Sequence, residues 1–430
     1  MKELFSKIKF IFTDPVLRRK IGFLLAMILV FRLFSAVPIP GVDQDALATF
    51  FSENNFLGMV NMFSGGGLQS LSIVMLGVMP YITASIIMQV MQISFPRLKE
   101  MQKEEGEAGK RKIANISRVA SVFIAGISAF GFMALLQSAN ILPELSSFDM
   151  TVNVIIAIGG AVFLMWIGEL ISEFGIGNGL SLMIFAGIIA SAPGTLKQAY
   201  DGLVADSSQI PMVIGIFIFL VVLIYLIVYV SEAERPVPIN QTKVVRAGEK
   251  AQTIQTFLPI KLNQAGVIPI IFAISILMFP QMIHGFLTSV VGMPAESWLG
   301  TVVDFLNNQL YQGIVYFILV FAFTFFYTAV TFDPKEMAEN LQKAGNFVPG
   351  VRPGEDTEEF FGKITTRVTF IGAVFLGLVA VLPMLVGGLT GLAYLGVGGT
   401  SLLIVVQVGI DLIRKINAQI SVREYLNSVD

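Results

Sequence analysis

Cysteine is absent from the 430 residues, histidine occurs once, tryptophan twice, and only 13% of the side chains are charged. Each shortage removes a class of function. Without cysteine there is no disulfide framework, no thiolate nucleophile and no cysteine-bound zinc. With His284 alone, neither a histidine metal cluster nor a Ser-His-Asp triad can be assembled. No Walker A pattern exists, because Gly109-Lys110-Arg111 lacks the earlier glycine and the following Ser or Thr. A net charge of −2 leaves no basic excess for nucleic acid. The 36 phenylalanines argue against disorder. A soluble chain carries about 25% charged residues to cover its surface. Half that density, with 55% hydrophobic residues and a mean hydropathy of +0.77, requires a lipid solvent.

What is present is a series of long apolar runs. A membrane-spanning helix takes about 20 mostly apolar residues. Ten candidates lie near 21–37, 73–95, 119–137, 152–171, 176–193, 211–230, 265–283, 313–331, 368–387 and 397–413. Lys and Arg gather in cytoplasmic loops, and that rule settles the ambiguous stretches. Basic residues crowd before the first span and again at Arg97, Lys99, Lys103, Lys110, Arg111 and Lys112, while 38–72 has none. Two spans within 54–96 would put the second basic group outside, so one span and a non-spanning piece are expected there. The loops 231–262 and 332–367 are basic, whereas 138–151 and 284–312 have no Lys or Arg. Both termini are therefore expected in the cytoplasm. The first span does not read as a cleaved signal peptide: its apolar run is long, and Val37-Pro38-Ile39-Pro40-Gly41 follows it.

The expected fold is all-α, a polytopic membrane protein of ten transmembrane helices. Ten spans divide into five and five, which permits inverted halves around a central path. The division expected is a cytoplasmic N-terminus at 1–20, a first half at 21–193 and an external linker at 194–210. A second half at 211–413 and a cytoplasmic tail at 414–430 complete it.

The spans are poor in deep ionisable groups. Arg32, Glu169, Glu173 and Asp411 sit toward span ends, where snorkelling to headgroups accounts for them. No enzyme and no cofactor is expected. Pro80 should kink or start the second span, and Thr83, Ser85 and Gln89 want partners at a helix seam or a wet path. Tight packing of lipid-embedded helices accounts equally for Ser85. The run Met62-Phe63-Ser64-Gly65-Gly66-Gly67-Leu68-Gln69-Ser70-Leu71-Ser72 is too short to span and too apolar for an ordinary loop. It reads either as a re-entrant element or as an interfacial loop. In the loop 332–367, two Pro-Gly pairs bracket Arg352 and make a stiff tip, suited to an acidic partner.

Six strings taken together resemble the SecY family of protein-conducting channels. They are Val37-Pro38-Ile39-Pro40-Gly41, Leu76-Gly77-Val78-Met79-Pro80-Tyr81-Ile82, Glu173-Phe174-Gly175-Ile176-Gly177-Asn178-Gly179, Asn263-Gln264-Ala265-Gly266-Val267-Ile268-Pro269, the Arg352 tip, and Gly398-Gly399-Thr400-Ser401-Leu402-Leu403-Ile404. The resemblance implies an hourglass pore between two five-helix halves, closed at the waist by Ile82, Ile86, Leu180, Ile184, Ile271 and Ile404. Spacing adds that Ile82/Ile86 and Leu180/Ile184 are i,i+4 pairs, each stacked on one helix face. The family further implies a short re-entrant plug helix at about 59–72, including 62–70. It implies a lateral gate among spans two, three, seven and eight, with Thr83 and Gln89 on it, and docking through Arg352, Arg235 and Lys243. Pro236 and Gln241 depart from the family's usual pattern in that first docking loop.

Implied partners are a SecE-type clamp subunit, a SecG-type small subunit, a SecA motor ATPase, the ribosome, signal sequences and nascent polypeptides, and the lipid bilayer. The implied location is the cell inner membrane. The rival reading, a secondary transporter for a small solute, needs a midplane binding residue that the spans do not supply. A purely structural scaffold leaves the 62–72 piece without a purpose.

Overall fold

The structure is a computed structural model that describes residues 13–39, 47, 61, 64–68, 70–95, 97–98, 100–101, 105–138, 142, 146–205, 210–242, 253–291, 297–390 and 398–429. The elements are α1 (Pro15–Ser35), α2 (Met79–Ser94), α3 (Glu107–Ser138), α4 (Ser147–Phe174), α5 (Gly179–Ala205), α6 (Ile210–Glu232), β1 (Glu234–Thr242), β2 (Thr253–Lys261), α7 (Ile268–Val291), α8 (Trp298–Asn307), α9 (Gln309–Thr331), α10 (Pro334–Lys343), β3 (Asn346–Phe347), α11 (Glu355–Thr390) and α12 (Gly398–Val429). Each of the ten expected spans overlaps a helix, and among the described residues seven of these helices are long and apolar enough to cross a membrane. The other three are α2, with only 16 residues, and the terminal helices. Of these, α1 carries Arg18, Arg19, Lys20 and Arg32, and α12 carries Asp411, Arg414 and Lys415.

Local chemistry sets the helix starts. Asp14 caps α1, its carboxylate accepting from the Val16 and Leu17 amides at 2.9 Å, with Pro15 in the first turn. Pro80 likewise stands in the first turn of α2, which begins at Met79 rather than at 73. Residues 73–78 are turns. Span five, expected at 176–193, continues through Pro193 to Ala205, so much of 194–210 is helix.

Within the first half α3 packs against α2 and α4, and α4 against α5. In the second half α7, α9, α11 and α12 pack in sequence. The halves meet along two seams. On one, α7 lies against α3 and α2; on the other, α5 lies against α12. Glycine makes the α3–α7 crossing close. A Cβ on Gly285 would come within 2.6 Å of the Gly131 carbonyl oxygen, and one on Gly131 would strike the Met282 carbonyl. Small residues let membrane helices approach in this way. Gly131→Val is therefore expected to destabilise the protein by about 1–3 kcal/mol through overpacking, read as a lower Tm in detergent. An unchanged Tm would mean that the crossing yields freely.

The expectation of an all-helical chain needs one addition. The two basic loops join in a three-stranded antiparallel sheet of order β2-β1-β3. Pro236 faces Pro259 and Pro238 faces Phe257, while β3 reaches only Asn240 and Gln241. The prolines thus sit where no third strand asks them for a donor. Val237 and Ile260 pack with Val348, Phe361, Ile364 and Val368 into a small core of their own. That core fastens the sheet to the base of α11.

Candidate functional site

The site is built where the two seams converge. Ile82 and Ile86 come from α2, Leu180 and Ile184 from α5, Ile271 from α7 and Ile404 from α12, so both halves contribute. All six belong to one continuous apolar cluster. Ile404 is fully buried, Ile82, Ile86, Ile184 and Ile271 nearly so, and Leu180 partly. Leu180 leans on its own half: a Cβ on Gly168 of α4 would meet its Cδ2 at 2.8 Å.

On one side of this cluster, at the end carrying the sheet, lies a cavity of about 250 Å³. Its lining is mixed: Asn178, Lys261, Gln264, Gln407, Asp411 and Lys415 bring polar and charged groups, and Leu182, Val267, Ile268, Val408 and Leu412 bring apolar ones. The Oε1 atoms of Gln264 and Gln407 are buried and have no hydrogen-bond partner among the described residues. Gln407 stands one turn beyond Ile404 on α12, so the apolar cluster and the wet cavity meet along a single helix.

On the other side lies the non-spanning segment. Ser64, Leu68, Leu71 and Ser72 are all nearly or wholly buried, as are Val74, Met75 and Leu76. Burial of this kind selects the re-entrant reading over the interfacial loop, since non-helical backbone at membrane depth must be surrounded by protein. Asn61 is helical and residues 64–68 are turns, so within the described residues the implied plug helix does not continue past 64. Gly65 and Gly66 explain the difference: both adopt left-handed φ, 71° and 83°, which interrupts a right-handed helix. The turns are fixed by side chains. Ser64 donates to the Asn61 carbonyl and accepts from the Leu68 amide. A short antiparallel bridge pairs Pro38 with Ser72, with the Ile39 amide donating to Leu71 at 2.8 Å and the Ile73 amide to Val37 at 3.1 Å. Met62, Phe63 and Gln69 lie outside the described residues.

Between this segment and the α2/α3/α7 seam is a small cavity of about 20 Å³, lined by Ser64, Leu68, Thr83, Ser128, Ser275 and Met278 among others. Thr83, expected on the gate, faces this cavity and donates to the Met79 carbonyl of its own helix at 3.1 Å. Gln89 is farther along α2, with a buried Oε1 that has no partner among the described residues.

The docking residues form a separate group. Arg352 is exposed, and its backbone is held in place: Thr357 Oγ1 donates to the Arg352 carbonyl at 2.7 Å, Val348 is buried, and Gly350 and Gly354 take φ of 81° and 106°. Arg235 is exposed at the start of β1. Lys243 lies outside the described residues.

Two charges depart from the expected snorkelling. Glu169 accepts from Arg118 Nε at 2.7 Å across α3 and α4. Arg32 donates to the Gly65 carbonyl inside the non-spanning segment. The one sign of Arg32 in the sequence was its isolation, a single cation in the run 21–37.

Comparison with known proteins places this geometry. A family model described as SecY matches residues 72–413. Protein translocase subunit SecY of Staphylococcus epidermidis is 35% identical over 424 residues, covering 96% of this chain and 97% of the relative. That of Helicobacter pylori is 39% identical over 421 residues, covering 96% and 98%. The chain belongs to the SecY family. Among solved structures, one described as a protein conducting channel superposes with a TM-score of 0.66 at 18% identity, covering 93% of this chain and 92% of that one. Another, of a SecY protein whose plug domain is described as stabilising the closed state and maintaining a membrane seal, gives 0.67 at 19% identity with the same coverage. At these identities the structures speak for the fold. As a SecY-family chain with many apolar helices, this is a multi-pass membrane protein.

Proposed function

We propose that this chain is the channel-forming subunit of a protein translocase in a cell inner membrane, with both termini cytoplasmic. It passes unfolded secretory polypeptides across the membrane and releases membrane-protein helices sideways into lipid. One observation carries the reading: apolar residues from both halves meet between a polar cavity on one side and a buried re-entrant segment on the other. An apolar waist closes by dewetting and yields when a chain enters. Ile82, Ile86, Leu180, Ile184, Ile271 and Ile404 form that waist. Residues 62–70 form the plug. The α2/α3/α7 seam, with Thr83 and Gln89, forms the lateral gate through which signal sequences leave. Gly131 and Gly285 support this reading, because they bring α3 and α7 into close backbone contact beside the Phe130–Phe286 ring pair.

Energy enters at the basic end through a SecA-type motor ATPase or a translating ribosome. Arg352, Arg235 and Lys243 dock them, and SecE-type and SecG-type small subunits clamp and flank the bundle. A ribosome-channel complex is named for one similar structure, Sec61 from canine endoplasmic reticulum, with a TM-score of 0.65 and 18% identity over 93% of this chain. The channel does no catalysis of its own.

Vesicles holding the chain and its small subunits, given motor ATPase, ATP and an unfolded precursor, are expected to make the precursor protease-resistant. Failure of any uptake would overturn the proposal. Arg352→Glu in the same assay is expected to reduce uptake by about tenfold or more, as reversal of an interfacial charge does. Its Tm should stay unchanged, since the side chain is exposed. Normal uptake with this variant would remove Arg352 from the docking surface.

A further inference from the structure

The last two turns of α1 grip the re-entrant segment through three side chains. Arg32 Nη1 donates to the Gly65 carbonyl. Ser70 Oγ lies 3.2 Å from the Ser35 carbonyl, and its one proton is shared between that acceptor and the Gly66 and Gly67 carbonyls of its own turn at 3.2 and 3.4 Å. Phe31 is buried under Gly65 so closely that a Cβ there would come within 2.6 Å of its Cζ. Arg32 is half-buried and belongs to no ion pair among the described residues. A guanidinium in an apolar helix needs acceptors, because lipid offers none. The left-handed turn at Gly65 brings its carbonyl within reach of the guanidinium.

We propose that Arg32 is a positioning residue for the plug. Its bond to the Gly65 carbonyl latches 64–70 in the closed place, and so sets how strong a signal sequence must be to open the channel. The proposal rests on the channel reading above and assigns the closed state to one side chain. When the segment leaves, the guanidinium loses its acceptor while remaining in an apolar setting. A hydrogen bond to a charged group is worth a closed-to-open ratio on the order of ten- to a hundredfold. Lysine keeps the charge and a donor, so it should retain part of the latch. Leucine keeps neither.

The test uses the full chain with its small subunits, in planar bilayers and in vesicle uptake of a precursor with a weakened signal sequence. Arg32→Leu, Arg32→Lys and deletion of 62–70 are compared with the native chain. Arg32→Leu is expected to raise resting conductance and weak-precursor uptake about tenfold or more, toward the level of the deletion. Arg32→Lys should fall between. A merely structural role would instead lower Tm and slow all precursors alike, and that pattern overturns the latch. Because the chain has no cysteine, Ser35→Cys with Ser70→Cys can then be bridged by a short thiol reagent in the Arg32→Leu background. Bridging should restore the seal; a leak that persists overturns the latch. A quiet Arg32→Leu beside a leaking deletion overturns the latch and leaves the channel reading standing. A deletion that is quiet as well overturns both.

Discussion

Ile404→Asn is expected to turn a sealed resting channel into one that passes ions, with conductance in planar bilayers raised by about tenfold or more. Ile404 has no exposed surface and sits one turn from Gln407, whose Oε1 lies at the polar cavity. An amide placed there has water within reach on one side and the apolar cluster on the other. If the cluster is a dewetted constriction, the amide carries water into it, and the barrier to ions falls. Ordinary core packing predicts another outcome. A buried amide without partners costs about 1–3 kcal/mol, so Tm falls and conductance does not change. Ile86→Asn should behave in the same way from the facing half. Leu180→Asn should leak less, because Leu180 leans on Gly168 of its own half. A destabilised, non-conducting Ile404→Asn would remove the ring from the proposal.

Thiol labelling at the plug is expected to give an all-or-none contrast between two serines six residues apart. Ser64 is 1% exposed and its hydroxyl is bonded at both ends, whereas Ser70 is partly exposed. In a resting channel a cysteine at 70 should react with a small polar reagent added outside. A cysteine at 64 should stay protected until a precursor engages. Ser64 and Ser275 line the same small cavity, so a cysteine pair there should cross-link in the closed channel and block uptake. Deleting 62–70 should leave the protein folded, since no spanning helix is removed, and leaky at rest. Reaction at 70 from the cytoplasmic side in a motor-free channel would contradict an outer plug.

The ten spans were legible because each centres on a mostly apolar run, and lipid leaves little room for any other reading. The start of α2 was legible from Pro80, and the non-spanning segment from the charge count on its two sides. Four features were not. The sheet was hidden by Pro236, Pro238 and Pro259, which argue against strands one at a time; they become harmless only once the ladder sets Pro236 opposite Pro259 and leaves no third strand beside Pro236 or Pro238. Its one readable trace is the alternation of Val237 with Ile239 and of Leu258 with Ile260. The extension of α5 beyond Pro193 was missed because proline usually ends a helix. The bond from Arg32 to Gly65 joins residues 33 apart, and no local pattern encodes which carbonyl a lone cation finds. Gly131 and Gly285 read as ordinary small residues until the crossing that needs them is seen.

The length of α11 has a mechanical consequence. Its 36 residues make a rod about 54 Å long, against a hydrocarbon core of about 30 Å, so well over a third of it stands clear of the lipid as an arm. The arm is clamped at its base, where Phe361, Ile364 and Val368 hold the sheet and Val348 below the Arg352 tip. Farther along, α11 bears on α9, with Phe317 against Gly377, and α9 bears on α7 at the seam. A tilt of about 5° at the base moves the far end of such a rod by about 5 Å, close to one helical pitch. Under the proposed docking role, a push at the tip would be geared, through two helix contacts, into a displacement of about that size at the seam.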